Sequence, residues 1–166
     1  MNSLLQRACD IARACVPEYQ HCYNVHDILD EFQFDEEVCV AGVLHEVIDH
    51  GMTGSGLRML EFSPRIITLV EIISLEPQNE MPKDRARRQL IRLRESSDPD
   101  AWAIKMADLL DQLRSSPNLP FEARKYLTKE AAPWFAYSLR AFQDTPLGTA
   151  FFKEMRDRLS ERIPLP

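Results

Sequence analysis

Apolar residues recur along this chain at intervals of three and four, the spacing that puts side chains on one face of an α-helix. Ser3 stands before Leu4, Leu5, Ala8, Ile11, Ala12 and Cys15, which reads as an N-cap and an amphipathic helix ending before Pro17. His21 lies at the start of a second helical pattern through Val25, Ile28, Leu29 and Phe32. Asp35 caps a third, with Glu36 and Glu37 in the first turn, where the helix dipole favours acids. Val38, Ala41, Leu44 and Ile48 line its inner side, and the helix is expected to carry on through His45 and Asp49 until Gly51 stops it.

Residues 52–56 read as a flexible loop ahead of a short apolar run at Leu57, Met59, Leu60 and Phe62. Ser63 and Pro64 start the next helix, with Ile66, Ile67, Val70 and Ile73 following until Pro77. Lys83, Arg85, Arg87, Arg88, Arg92 and Arg94 make a basic helix interrupted by Leu90, Ile91 and Leu93. Asp98 and Pro99 open another, in which Ala101, Ile104, Ala107 and Leu110 face inward with Asp108 beside them. After Pro117 and Pro120, the stretches Phe121 to Phe142 and Pro146 to Ile163 read as C-terminal helices, with Pro133 starting or kinking one of them. Trp134, Phe135, Phe142, Phe151, Phe152 and Leu159 supply packing mass. With no internal repeat and no strand alternation, the pattern predicts an all-α single domain over residues 1–166, built from about six to eight helices.

Composition agrees with that class: 166 residues can bury one sizeable core, and only five glycines stand among abundant helix formers. A formal charge of −6 argues against a general nucleic-acid surface. It leaves room for one small phosphorylated ligand, held through a metal or through the local basic cluster, since guanidinium groups grip phosphate oxygens bidentately. Cys9, Cys15, Cys22 and Cys39 show no CxxC pairing and sit in apolar-patterned segments, so they read as core residues of a protein in a reducing cytoplasm. No stretch approaches the roughly 18 apolar residues of a membrane span, and no membrane partner is expected.

Chemistry concentrates in residues 43–51, where His45, Glu46, Asp49 and His50 stand behind the small residues Ala41 and Gly42. A zinc-protease HExxH helix is excluded, because the fifth position is Asp49 and His50 follows one place later, about 140° round a helix from His45. Gly54 and Gly56 do not spell a phosphate-binding loop, as no GK[ST] ending follows. Candidate metal ligands are His21, His45, Glu46 and Asp108, drawn from three separate helices. Two imidazoles and two carboxylates suit a divalent ion such as manganese, iron or zinc with open positions for water and phosphate.

The run from His21 through Val25, Asp35 and Ala41 to His45, and the later run from Lys105 through Asp108 and Gln112 to Arg114, resemble the HD-domain phosphohydrolases. Within them they are similar to the hydrolase domain of the RelA/SpoT type, small stand-alone alarmone hydrolases included, over roughly Tyr19 to Phe135. The resemblance implies a helical HD fold and one divalent metal, often manganese, on His21, His45, Glu46 and Asp108. It implies removal of the 3'-pyrophosphate from guanosine tetra- or pentaphosphate by metal-activated water. Asp49 matches the acidic position after the HD pair, where it could orient or deprotonate that water, and Asp49-His50 stands where the hydrolases have a Glu-Asp pair. Lys105 and Gln112 fall on substrate-contacting positions, with Arg85 and Arg88 of the basic helix as further phosphate contacts. The chain departs from the family at Glu46, one methylene longer than the usual aspartate, and lacks the Arg-Lys pair ahead of the first histidine. These departures motivate two alternatives: a degenerate HD domain that binds a nucleotide or protein without turnover, and an HD nucleotidase with another substrate.

Overall fold

A computed structural model describes residues 3–75 and 81–161, and all regular structure among them is helical. The chain divides into two compact units, residues 1–105 and 106–166. The all-α class expected from the spacing is what the backbone adopts.

In the first unit, α1 (Leu4–Cys15) begins where Ser3 Oγ accepts the Gln6 N–H at 3.1 Å, and it buries Ala8 and Ala12. Helix α2 (Tyr19–Glu31) buries Cys22, Val25, Ile28 and Leu29. Helix α3 (Glu36–Val43) is apolar all round, with Val38 to Val43 buried without a break. A helix of that kind has to be surrounded, and α3 packs on α1, α2 and α5 (Pro64–Ile73). Ser63 starts α5 as expected, its Oγ accepting the Ile66 N–H at 3.3 Å while its hydroxyl donates to the Glu37 carboxylate. That bond joins the first turns of α3 and α5.

Two local expectations are corrected. The expected loop over residues 52–56 contains the start of a short helix, α4 (Gly54–Met59), because Thr53 Oγ1 caps it by accepting the Gly56 N–H at 3.0 Å. Of the apolar run that follows, Leu57 and Phe62 are buried, whereas Met59 and Leu60 face solvent. Asp35 does occupy the N-cap of α3, but through its backbone: its carbonyl accepts from Val38 and Cys39, and its side chain makes no capping bond.

Helix α6 (Pro82–Ser96) lies on α5 and ends at Ser97 in the left-handed region. Pro77 and Gln78, where α5 was expected to end and a polar linker to run, lie outside the described residues. Helix α7 (Pro99–Ser115) starts at Asp98, whose carboxylate accepts the Asp100 N–H at 3.0 Å. The same carboxylate meets both terminal nitrogens of Arg65, one at 2.9 Å, and this guanidinium holds Asp98 below the usual carboxylate range. The boundary between the units falls within α7.

The second unit continues from α7 through a 3₁₀ turn (Ser116–Asn118) into α8 (Phe121–Tyr126), a π-helical turn (Leu127–Ala131) and α9 (Ala132–Leu139). The wide π turn sits just ahead of Pro133, which has no N–H for the Lys129 carbonyl and whose ring would collide with it in an α turn. A 3₁₀ turn (Arg140–Phe142) leads to α10 (Pro146–Ser160), capped by Thr145 Oγ1, which accepts the Gly148 N–H at 3.0 Å. Phe135 and Phe151 are fully buried here, while Trp134 and Leu159, expected as packing mass, point outward. The far end of α10 is tied down by Lys129, whose ammonium donates to the carbonyls of Leu159 at 2.5 Å and Glu161 at 3.2 Å.

Gly148 tests this packing by sign. A Cβ there would stand 1.9 Å from the Phe142 carbonyl oxygen, part of the backbone. Helix propensity favours alanine over glycine by about 1 kcal/mol. Gly148→Ala is nevertheless expected to lower stability by about 2 kcal/mol in denaturant unfolding, because the overlap outweighs the propensity gain.

Candidate metal centre

The site grows from the end of α3. Beyond Val43 the α-helix does not continue to Gly51, as its apolar spacing led one to expect, but gives way to tight turns over residues 44–51. The N–H groups of Leu44, Val47, His50 and Gly51 reach the carbonyls three residues back, those of Ala41, Leu44, Val47 and Ile48. Met52 then reaches back five, to Val47, and Gly51 ends the segment at φ +99°. Continuous burial of Val43, Leu44, Val47 and Ile48 makes an apolar stripe that either winding could satisfy, which is why periodicity alone did not show the change.

This change frees a carbonyl. His45 Nδ1 lies 2.8 Å from the Gly42 carbonyl oxygen, so that ring nitrogen carries the proton and donates it to the backbone. The other, Nε2, is 4.0 Å from a carboxylate oxygen of Glu46. The ring of His21, from the first turn of α2, stands edge-on to that of His45, with centroids 5.1 Å apart and planes at 74°. Ligand atoms of His21, His45 and Glu46 all fall within 4.8 Å of one another. His45 is buried, while His21 and Glu46 are half-buried, so the group opens on one side.

Gly42 brings α2 and α3 together at this point. A Cβ at position 42 would meet Leu29 Cδ1 at 2.6 Å and Val25 Cγ1 at 3.3 Å, both on α2. The small residue noticed in the sequence therefore lets helix meet helix, rather than ligand meet wall. The donor set fits a divalent ion. Two donors about 2.1 Å from one cation lie up to roughly 4.2 Å apart, so the three groups converge on one with small side-chain adjustments. A histidine whose second nitrogen donates to a backbone carbonyl is the arrangement that orients metal-binding imidazoles.

Asp49 sits four residues on from His45, buried, with its carboxylate accepting the Leu75 N–H at 2.7 Å. Burial pushes its pKa up to about 6; the Leu75 N–H and the charge of Arg85 act against that rise, and Glu46 adds to it. His50 is exposed and stands outside the histidine–glutamate group. On α6, Arg85 Nε donates to the Leu75 carbonyl at 3.0 Å, which leaves its terminal N–H groups for other work, and Arg88 is half-buried. On α7, Lys105 is buried. In the second unit Asp108 is buried and its carboxylate accepts a hydrogen bond from Gln112 Nε2, so the residue read as a substrate contact orients a residue read as a ligand. The structure thus brings together His21, His45 and Glu46. What the sequence reading missed is the set of α6 donors aimed at the end of α5, since a row of arginines carries no mark of whether it serves a ligand or a carbonyl.

A family model described as HD domain matches residues 12–137, and the chain belongs to that family. Its fold is similar to that of a metazoan ortholog of SpoT, a protein described as hydrolyzing ppGpp and playing a role in starvation responses. The two share 22% identity and a TM-score of 0.78, over 95% of this chain and 97% of that one. A crystal structure of a Listeria monocytogenes protein is similar with a TM-score of 0.67 and 23% identity, over 87% of this chain and 99% of the other. No curated protein sequence matches the chain.

Two outcomes follow from this geometry. Gly42→Ala is expected to lower stability by roughly 1–3 kcal/mol and to weaken divalent-ion binding, measured by unfolding and by titration calorimetry, because the buried side chains of Leu29 and Val25 must repack around the added methyl. Asp49 holds its proton in the fold up to about pH 6 but loses it near pH 4 when unfolded, so its contribution declines as pH rises between those values. Without metal, the stability of the wild type relative to Asp49→Asn is therefore expected to fall by roughly 1–3 kcal/mol from pH 4 to pH 7.

Proposed function

We propose that this chain is a metal-dependent phosphohydrolase acting on a nucleotide, with guanosine-3',5'-bis(diphosphate) as substrate and its 3'-pyrophosphate as the group removed. The observation that carries the reading is the convergence of His21, His45 and Glu46 with the His45 tautomer fixed by Gly42. Membership of the HD family supports it, as does the similarity in fold to a protein described as hydrolyzing ppGpp. In this reading residues 1–166 act as one HD-type domain, the family match running from residue 12 to residue 137. Asp108 enters as fourth ligand on the family motif alone, and manganese is the ion assigned.

A divalent ion held there supplies a Lewis acid and lowers the pKa of bound water. The residues do the rest. The fixed Nδ1–H of His45 leaves Nε2 as its only lone pair for coordination. Glu46 contributes negative charge beside it. Asp49, with a pKa of about 6, is close to neutrality as a proton acceptor, and the Leu75 N–H fixes one of its oxygens. His50 is assigned to proton transfer at the exposed side of the turn. Arg85, Arg88, Lys105 and Gln112 are assigned to the substrate, whose phosphates suit guanidinium and ammonium donors. All four cysteines are free thiols, which suits the reducing compartment assigned. No helix among the described residues is long and apolar enough to cross a membrane.

A binding module without turnover is the competing reading, favoured by the engagement of Asp49 with a backbone N–H and by glutamate at position 46. Incubation of the purified chain with manganese and guanosine tetraphosphate, beside ordinary nucleotides, separates these. Pyrophosphate release is expected, falling at least about 100-fold in His45→Ala and in Asp108→Ala. Orthophosphate released from other nucleotides would assign a different nucleotidase activity. Absence of both metal and turnover would contradict the enzyme reading.

A further inference from the structure

We propose that Arg92 is a positioning residue for the metal-site turn: it fixes the Ser74–Leu75 peptide group, whose N–H in turn holds the Asp49 carboxylate. Three consecutive carbonyls at the end of α5 accept side-chain donors from α6. Gln89 Nε2 serves Ile73, Arg92 serves Ser74 and Arg85 Nε serves Leu75. Positions 85, 89 and 92 share one helix face, and of the carbonyls they meet that of Ile73 belongs to the negative end of the α5 dipole. Two basic side chains of α6, Arg85 and Arg92, are therefore directed at backbone.

Arg92 differs from its two neighbours in the peptide group it meets. The Ser74 carbonyl and the Leu75 N–H belong to one peptide plane, so a guanidinium holds its oxygen end while a carboxylate, Asp49, holds its N–H end. Each bond polarises the peptide in the sense that strengthens the other. Charge at both ends makes each of the two bonds of the stronger, charge-assisted kind. Asp49 lies in the same turn as His45 and Glu46, so the peptide fixes that turn at a second point besides the His45–Gly42 bond. Arg85 steadies the next carbonyl along and contributes charge, but its bond is to a different peptide group. Arg92 reaches the metal-site turn through this backbone peptide and is a positioning residue, not a catalytic one.

The effect on turnover rests on the hydrolase reading above; the effect on the Leu75 N–H does not. Amide hydrogen exchange of the full-length chain is measured for wild type, Arg92→Gln, Arg92→Lys and Arg87→Gln. Arg87 is exposed on the same helix and controls for loss of one charge. Exchange at Leu75 is expected to quicken by on the order of tenfold in R92Q, less in R92K, and to be unchanged in R87Q. Asp49→Ala supplies the fully released amide. With guanosine tetraphosphate and manganese, R92Q is expected to lower kcat with KM unmoved, and R92K to restore part of it. Unchanged exchange at Leu75 in R92Q overturns the proposal whatever the activity, as does a raised KM with kcat intact. If R92Q does not fold, Leu75 exchange in R92K indistinguishable from wild type overturns it, and faster exchange supports it. A wild type without turnover defeats the hydrolase reading while leaving the exchange result to decide this one.

Discussion

The hydrogen bond from His45 Nδ1 to the Gly42 carbonyl joins the fold of the first unit to its chemistry. It exists because the backbone leaves α-helical winding after Val43, which releases a carbonyl that another helical turn would have engaged. Gly42, beside it, has no Cβ to crowd the Leu29 and Val25 side chains of α2. One bond therefore fixes the tautomer of a buried imidazole and its orientation toward His21 and Glu46. Turned over about its Cβ–Cγ bond, the ring would present a carbon where Nε2 now faces the Glu46 carboxylate.

The turn is braced from several directions. Leu44, Val47 and Ile48 bury its apolar side, Gly51 ends it in the left-handed region, and the Asp49 carboxylate fastens it to the N–H of Leu75. Burial raises the pKa of Asp49 to about 6 and makes its ionised form a cost to the fold.

Much of this was legible in the chain itself. Helical spacing gave the all-α class, and Ser3, Ser63 and Thr145 sit where capping residues should. The separated motifs around His21, His45 and Asp108 point to the HD family, and the family match agrees. Less visible was whatever depends on choices between equally patterned backbones. An apolar stripe through Val43, Leu44, Val47 and Ile48 fits an α-helix and a run of tight turns alike. Thr53, followed by glycines, resembled a loop, though its hydroxyl was placed to start a helix. The basic helix invited a phosphate, yet Arg85 and Arg92 donate to carbonyls at the end of α5, a destination that only tertiary packing specifies.

In the proposed site the imidazoles of His21 and His45 hold one divalent ion beside Glu46. Electron spin-echo spectroscopy of the protein loaded with one equivalent of manganese measures this directly, because coordinated imidazole nitrogens modulate the echo of the bound ion. Couplings from two histidine nitrogens are expected, one of which disappears in His21→Asn and the other in His45→Asn. A manganese signal without nitrogen modulation, or with modulation unchanged in both variants, would contradict it.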